Sequence, residues 1–287
     1  MSEVIISPPG LVEQKPADAT ASSGGIRSLA VTIGPSILLD VLVSFSTWAA
    51  LRDLTGKPNR LVGRTMRGVT AVVSMVPWLY LLAFRRWVLH WGATSSEVNN
   101  ELPGDEIIPQ PAWQSTRAID IAAPAEAVWP WLAQLGQDRG GLYSYDWLEN
   151  IAGLDFHSAD RIVPEWQDVN VGDVVRFAPN QDTLVVCRVE PNRCLVWRVL
   201  DPVTHRVADA SSGPVWVDAT WAFVLRPVDP QHSRLIQRFR FGIRPRALGV
   251  LYTALIEIPH FVMERRMLMG IRERAERAYM LQVGQAA

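Results

Sequence analysis

The sequence predicts an α+β protein: an antiparallel sheet followed by a long C-terminal helix and preceded by an apolar helical hairpin. Three observations predict it. Between Val171 and Ile243, five stretches alternate apolar and polar residues with a period of two, as half-buried strands do. From about Arg246 to Gln282 the apolar spacing becomes helical. Two long, nearly uncharged runs precede both.

Composition supports this class. Of 287 residues, 48% are hydrophobic and 20% charged, enough apolar material for a core. The net charge of -1 leaves no electrostatic footprint for nucleic acid, and no such partner is expected. Two cysteines, Cys187 and Cys194, exclude a disulfide framework and a Cys-rich zinc module; both read as buried free thiols. Tryptophan, with 12 copies, suits core packing, wide pockets and membrane interfaces.

Residues 1–27 are rich in Pro, Ala, Ser and Gly, without apolar period, and read as a disordered tail. Residues 28–84 read as a membrane hairpin. Leu29 to Leu51 carries one charge, Asp40, and Gly68 to Phe84 carries none. A bilayer core about 30 Å thick needs about 20 helical residues, which the first run meets and the second nearly meets. Asp40 argues for the alternative, two helices buried on the soluble domain, since a mid-bilayer charge is costly. The loop between the runs holds Arg52, Lys57, Arg60, Arg64 and Arg67, whereas Arg85 and Arg86 follow the second run, so orientation stays open. Residues 85–114 read as a connector, with capping-box spacing at "TSSE" (Thr94 to Glu97) and a stop at "LPGDE".

The folded domain is expected over 115–283. "STRAIDI" reads as a strand. In "APAEAVWPWLAQLG", Val128, Trp131, Leu132 and Leu135 fall on one helical face. "SYDWLENIAG" reads as a second short helix, with Ser144 as N-cap and Gly153 as stop. The strands follow. In the longest, Ala219, Trp221, Phe223 and Leu225 share the apolar face, with Asp218, Thr220 and Arg226 on the other. Arg238 and Arg240 lie opposite Leu235, Phe239 and Phe241 and read as solvated; in reversed register they would meet an anionic ligand head. In the C-terminal helix Pro259 is expected as an interruption. Beyond it Phe261, Leu268, Ile271, Ala275 and Ala278 form an apolar stripe, and Glu273 and Arg277 an exposed pair. His260 and Glu264, one turn apart, read as a solvent-facing pair or, alternatively, as polar groups offered to a cavity.

At this point the sequence resembles the SRPBCC (START-like) superfamily, which includes polyketide cyclase, dehydrase and lipid-transfer-like members. "IDIAAPAEAVWPWLAQLG" is similar to its opening strand and helix. "STRAIDI", "GGLYSYDWLEN", "HSADRIVPEWQDVNVGD" and "HFVMERRML" resemble an uncharacterised bacterial subgroup. The resemblance implies a helix-grip fold, a sheet curled around the last helix, with a deep apolar cavity between them. It carries over no catalytic residue. The cavity is expected to be lined by Trp131, Tyr143, Tyr145, Trp147, Trp197, Trp221, Phe223 and Phe261, with the stretch from Gly140 to Gln167 at its mouth.

Motifs for serine hydrolases, zinc proteases, P-loops and dinucleotide binding are absent, and no cofactor or metal is expected. In the mouth stretch, His157 and Asp160 are the catalytic candidates, as an acid/base pair or, with poorer spacing, metal ligands; the competing reading is a loop held by local hydrogen bonds. The expected function is binding, transport or presentation of a hydrophobic or aromatic small molecule or lipid, at a bacterial cell membrane. The alternatives are a cyclase or dehydratase and a non-catalytic, membrane-tethered interaction module.

Overall fold

The computed structural model describes residues 79–286, except 152, 180, 202–204, 208–215, 246–248 and 250–255. The expected tail and the hairpin up to residue 78 lie outside the described residues. Among the described residues no helix is long and apolar enough to cross a membrane.

A π-helical turn, Tyr80–Phe84, runs into α1 (Arg85–Leu89), followed by α2 (Ser95–Asn99) and a single 3-10 turn, Asp105–Ile107. Then come β1 (Trp113–Ile121), α3 (Ala125–Ala133) and α4 (Asp146–Ile151). Strands β2 (Val174–Ala178), β3 (Gln181–Glu190), β4 (Cys194–Val199), β5 (Trp216–Asp229) and β6 (His232–Arg244) follow, and α5 (Glu257–Ala286) closes the chain. All strand pairs are antiparallel, in the order β1-β6-β5-β4-β3-β2. The protein is therefore α+β, an open antiparallel sheet with α3 and the C-terminal helix on one face, the helix-grip arrangement.

The alternation in the sequence sets the inner face. Ile119 and Ile121 of β1, Leu195 and Trp197 of β4, Phe223 and Leu225 of β5 and Leu235 of β6 point to one side. There they meet Val128 and Leu132 of α3 and Met267, Leu268, Ile271 and Ala275 of α5. Each such side chain, fully buried, contributes about 1.5–3 kcal/mol. The predicted stripe of α5 is this contact from Leu268 onward, with Leu268, Ile271 and Ala275 buried and Ala278 packed against them.

Pro259 does not interrupt α5. It is the third residue of the helix, where an amide N–H has no intrahelical acceptor, so its missing donor costs nothing. Glu273 pairs with Arg266 at 2.9 Å rather than with Arg277. Glu257, in the first turn of α5, is fully buried. It accepts the Tyr80 hydroxyl at 2.5 Å, two Arg85 bonds at 3.0 and 2.9 Å, and the Trp113 indole N–H. A carboxylate there also meets the positive end of the helix dipole.

The outer face of the sheet is the main correction. It is not solvated, because residues 93–109 cover it. Leu102 packs on Ala118, Cys194, Val224 and Ile236 in a second, smaller core. Arg238 and Arg240 point outward as expected but are buried. Both pair with Asp105, Arg240 at 2.8 Å, and Arg238 also donates to Thr116 Oγ1 and the Asn100 carbonyl, each at 3.0 Å. The anion these arginines bind is thus the protein's own. The predicted capping box forms: Glu97 N–H donates to Thr94 Oγ1 at 3.2 Å, and Thr94 N–H to the Glu97 carboxylate at 2.7 Å. Glu97 also accepts Arg234 at 2.5 and 2.9 Å. The expected connector is therefore an integral layer. Both cysteines are free thiols; Cys194 is buried and Cys187 only partly so.

Candidate functional site

Between α5, the inner face of the sheet and the segment 142–156 lies a cavity of about 340 Å³. The sheet contributes Phe177, Leu184, Val199, Trp221 and Phe239, α5 contributes His260, Met263, Glu264 and Met267, and the segment contributes Leu142, Ser144, Glu149, Leu154 and Phe156. Its size is at the lower end of small-molecule pockets, about 300–1,000 Å³.

Strand register builds the aromatic wall. Trp221 lies opposite Trp197 on one neighbour and Phe239 on the other. Phe177 meets Trp221 edge-on at 5.5 Å, and Trp197 and Phe156 each at 6.0 Å. The buried Trp221 Nε1–H finds no acceptor among the described residues.

The segment 140–167 is held by Gln134, fully buried at the end of α3. Its amide nitrogen donates to the Tyr143 hydroxyl at 2.8 Å and the Arg161 carbonyl at 3.0 Å, and its oxygen accepts Val163 N–H at 3.1 Å. Tyr143 adopts a left-handed φ of 55° and sits against Gly270 of α5, where a Cβ would approach the Tyr143 carbonyl oxygen to 2.2 Å; only glycine allows that approach. Asn150 brackets Phe156 with bonds at 2.6 and 2.9 Å and turns it inward. Asp146 accepts Ser158 N–H at 2.7 Å and its hydroxyl at 2.6 Å, and Asp160 accepts Arg274 at 2.9 Å. Ser144 does not supply the expected cap; its hydroxyl donates to the Met263 carbonyl at 3.0 Å.

The cavity has two polar ends. At one, His260 donates to Glu264 at 3.0 Å, Gln237 donates to the same carboxylate at 2.5 Å, and Glu264 pairs with the buried Arg117. Burial, reinforced by the Arg117 charge, pushes His260 down to about 3, so it stays a neutral imidazole. Its ring packs on Phe239 at 4.8 Å. The other end is Glu149, 4% exposed, with no hydrogen-bond donor on either oxygen among the described residues. Burial first, then the nearby Asp146 charge, pushes its carboxyl up to about 7. Ser144 lies close enough to oppose that rise, but its proton goes to Met263.

Of the aromatics expected to line the cavity, Trp221 does so. Trp197 stands directly behind it, and Trp131 and Phe223 are buried deeper in the core. Tyr143 is buried behind the segment wall, Tyr145 is half-buried, and Trp147 is 65% exposed, so none of the three lines it. Phe261 faces Trp87 and Arg117 instead. His157 and Asp160 are not brought together at the cavity. The His157 side chain is 79% exposed and meets Asp155 at 3.1 Å, while Asp160 is an exposed partner of Arg274. No group of three or more His, Cys, Asp or Glu able to hold a metal occurs among the described residues. The polar residues of the site that no sequence pattern pointed to are Glu149, Thr183, Arg117 and Gln237.

No family model matches the chain, and no curated protein matches it. Among solved structures, a conserved protein from Geobacillus kaustophilus is similar at 12% identity and a TM-score of 0.32, over 58% of this chain and 97% of that one. A hypothetical protein from Helicobacter pylori gives 10% and 0.36, over 61% and 95%. A point mutant of norcoclaurine synthase from Thalictrum flavum, in complex with a transition state analogue, gives 12% and 0.32, over 57% and 93%. Likenesses this distant identify neither an activity nor a ligand for the chain.

Proposed function

We propose that this domain binds a hydrophobic small molecule or lipid in the cavity between sheet and α5, and that it does so at a membrane. The cavity carries the reading: about 340 Å³ walled by Leu142, Leu154, Phe156, Phe177, Trp221, Phe239, Met263 and Met267. Apolar pockets with a few converging polar groups are where small molecules bind. The membrane part is supported by the two apolar runs between Leu29 and Phe84 and by the exposure of Leu82, Phe84 and Trp87 beside them. Native mass spectrometry of the purified full chain tests the binding: a co-purified apolar molecule is expected. An alkaline carbonate wash tests the location, and release of the full chain by it would refute membrane integration.

A second reading, acid–base catalysis on the bound molecule, draws on Glu149 and His260 facing one cavity. A carboxyl near neutrality suits proton transfer, and a neutral imidazole can orient the molecule by hydrogen bonding. His157 and Asp160 have no part in it.

A further inference from the structure

Among the described residues, five buried carboxylates follow one rule. Glu97 faces Arg234, Asp105 faces Arg238 and Arg240, Asp218 faces Arg198, Glu257 faces Arg85 and Glu264 faces Arg117. A cation stands beside each, because a buried unpaired charge is strongly unfavourable. Glu149 is as buried as these and has no such partner among the described residues. It borders the cavity instead.

The groups around it sharpen the asymmetry. Asp146 on its own helix repels a second negative charge and is spent on Ser158. Ser144 donates to Met263. From α5, Glu264 borders the same cavity but is neutralised by Arg117 of β1, and His260 is neutral. The sheet lines the cavity with Phe177, Thr183, Leu184, Val199, Trp221 and Phe239, none of them charged. With Glu149 ionised, the cavity lacks one positive charge.

We infer that the cavity selects hydrophobic amines, whose ammonium group takes beside Glu149 the place that arginine takes beside the other buried carboxylates. This rests on the apolar-cavity reading and adds a charge requirement to it. The apolar body would lie against Trp221, Phe177 and Phe239, whose ring faces also attract cations.

Calorimetric titration of the full chain with three phenylbutyl probes, the amine, the alcohol and the carboxylate, at about pH 6 and about pH 8 tests the charge requirement. At the higher pH the amine is expected to bind roughly tenfold or more tighter than the alcohol, as a charge-assisted bond would provide, and the carboxylate weakest. The preference for amine over alcohol should shrink at the lower pH, where Glu149 is protonated. Glu149→Gln should abolish the preference and leave the alcohol affinity within about twofold. An amine no better than an alcohol that does bind overturns the amine inference alone. Failure of both amine and alcohol to bind overturns the apolar-cavity reading with it. If Glu149→Gln does not fold, the wild-type amine-to-alcohol ratio decides: a ratio that does not rise between the two pH values refutes the role of Glu149.

Discussion

The two faces of the sheet both pair buried charges, but only the outer one pairs all of those described. On the outer face Asp105, Arg238, Arg240, Glu97 and Arg234 answer one another, and the layer from residue 93 to residue 109 seals them in. On the inner face Glu264 is answered by Arg117, but the apolar core leaves a cavity open with one buried carboxyl, Glu149, unanswered. A fully paired buried network specifies structure, while an unpaired group at a cavity marks a place where something else belongs.

The largest effect should come from breaking the outer face. Asp105→Ala leaves two buried guanidinium groups without their counter-charge and should cost about 3–5 kcal/mol. Urea denaturation measures it; a loss below about 1 kcal/mol would mean that water reaches these arginines.

On the inner face, Trp221→Ala removes a wall of the cavity. A loss of about 3 kcal/mol is expected, at the low end for a tryptophan because one side of the ring already faces open space. The folded variant should bind an apolar fluorescent probe more weakly, and unchanged binding would place the ligand elsewhere.

The faces should also differ in the sign of their pH dependence. Glu149 is raised to about 7, so the folded state resists its ionisation; stability is full below the ordinary value of 4.5 and declines as pH rises from there to about 7. Glu97 is the reverse. Although burial opposes it, bonds from Arg234 and Thr94 hold its carboxyl down at about 2, so its contribution is present above 4.5 and fades as pH falls towards 2. Each swing is on the order of 3 kcal/mol. Glu149→Gln should flatten the neutral-side decline and Glu97→Gln the acid-side one, read by denaturation across pH. A Glu149→Gln curve that still declines between 4.5 and 7 would remove Glu149 as the cause.

The smallest effect belongs to His157→Ala, outside both networks. Stability should change by less than about 0.5 kcal/mol and probe binding hardly at all. A large loss of binding would restore His157 as a site residue.

The strand and helix order was legible because alternation and helical spacing reflect the inner core directly. The covered outer face was partly legible too. Ala118, Val224 and Ile236 occupy the outward phase of three strands, and apolar residues there mean a second layer. Reading Arg238 and Arg240 as solvated ignored that signal. Of the two readings of His260 and Glu264, the solvent-facing one failed for a similar reason and the cavity one agrees with the lining: they extend the stripe of Leu268 backwards in steps of four. The state of Glu149 was not legible. It depends on Gln134, Asn150 and Gly270 folding a distant segment back onto α5, which no local pattern encodes.

The clasp on Glu257 fixes where the folding unit begins. A fragment starting at residue 90 would discard Tyr80 and Arg85 and leave the first turn of α5 with the Trp113 bond to a buried, uncompensated charge. Electroneutrality thus draws the domain boundary upstream of residue 80, inside what the hydropathy pattern presents as the end of an apolar run. The two parts of this chain cannot be cut apart at the point where their composition changes.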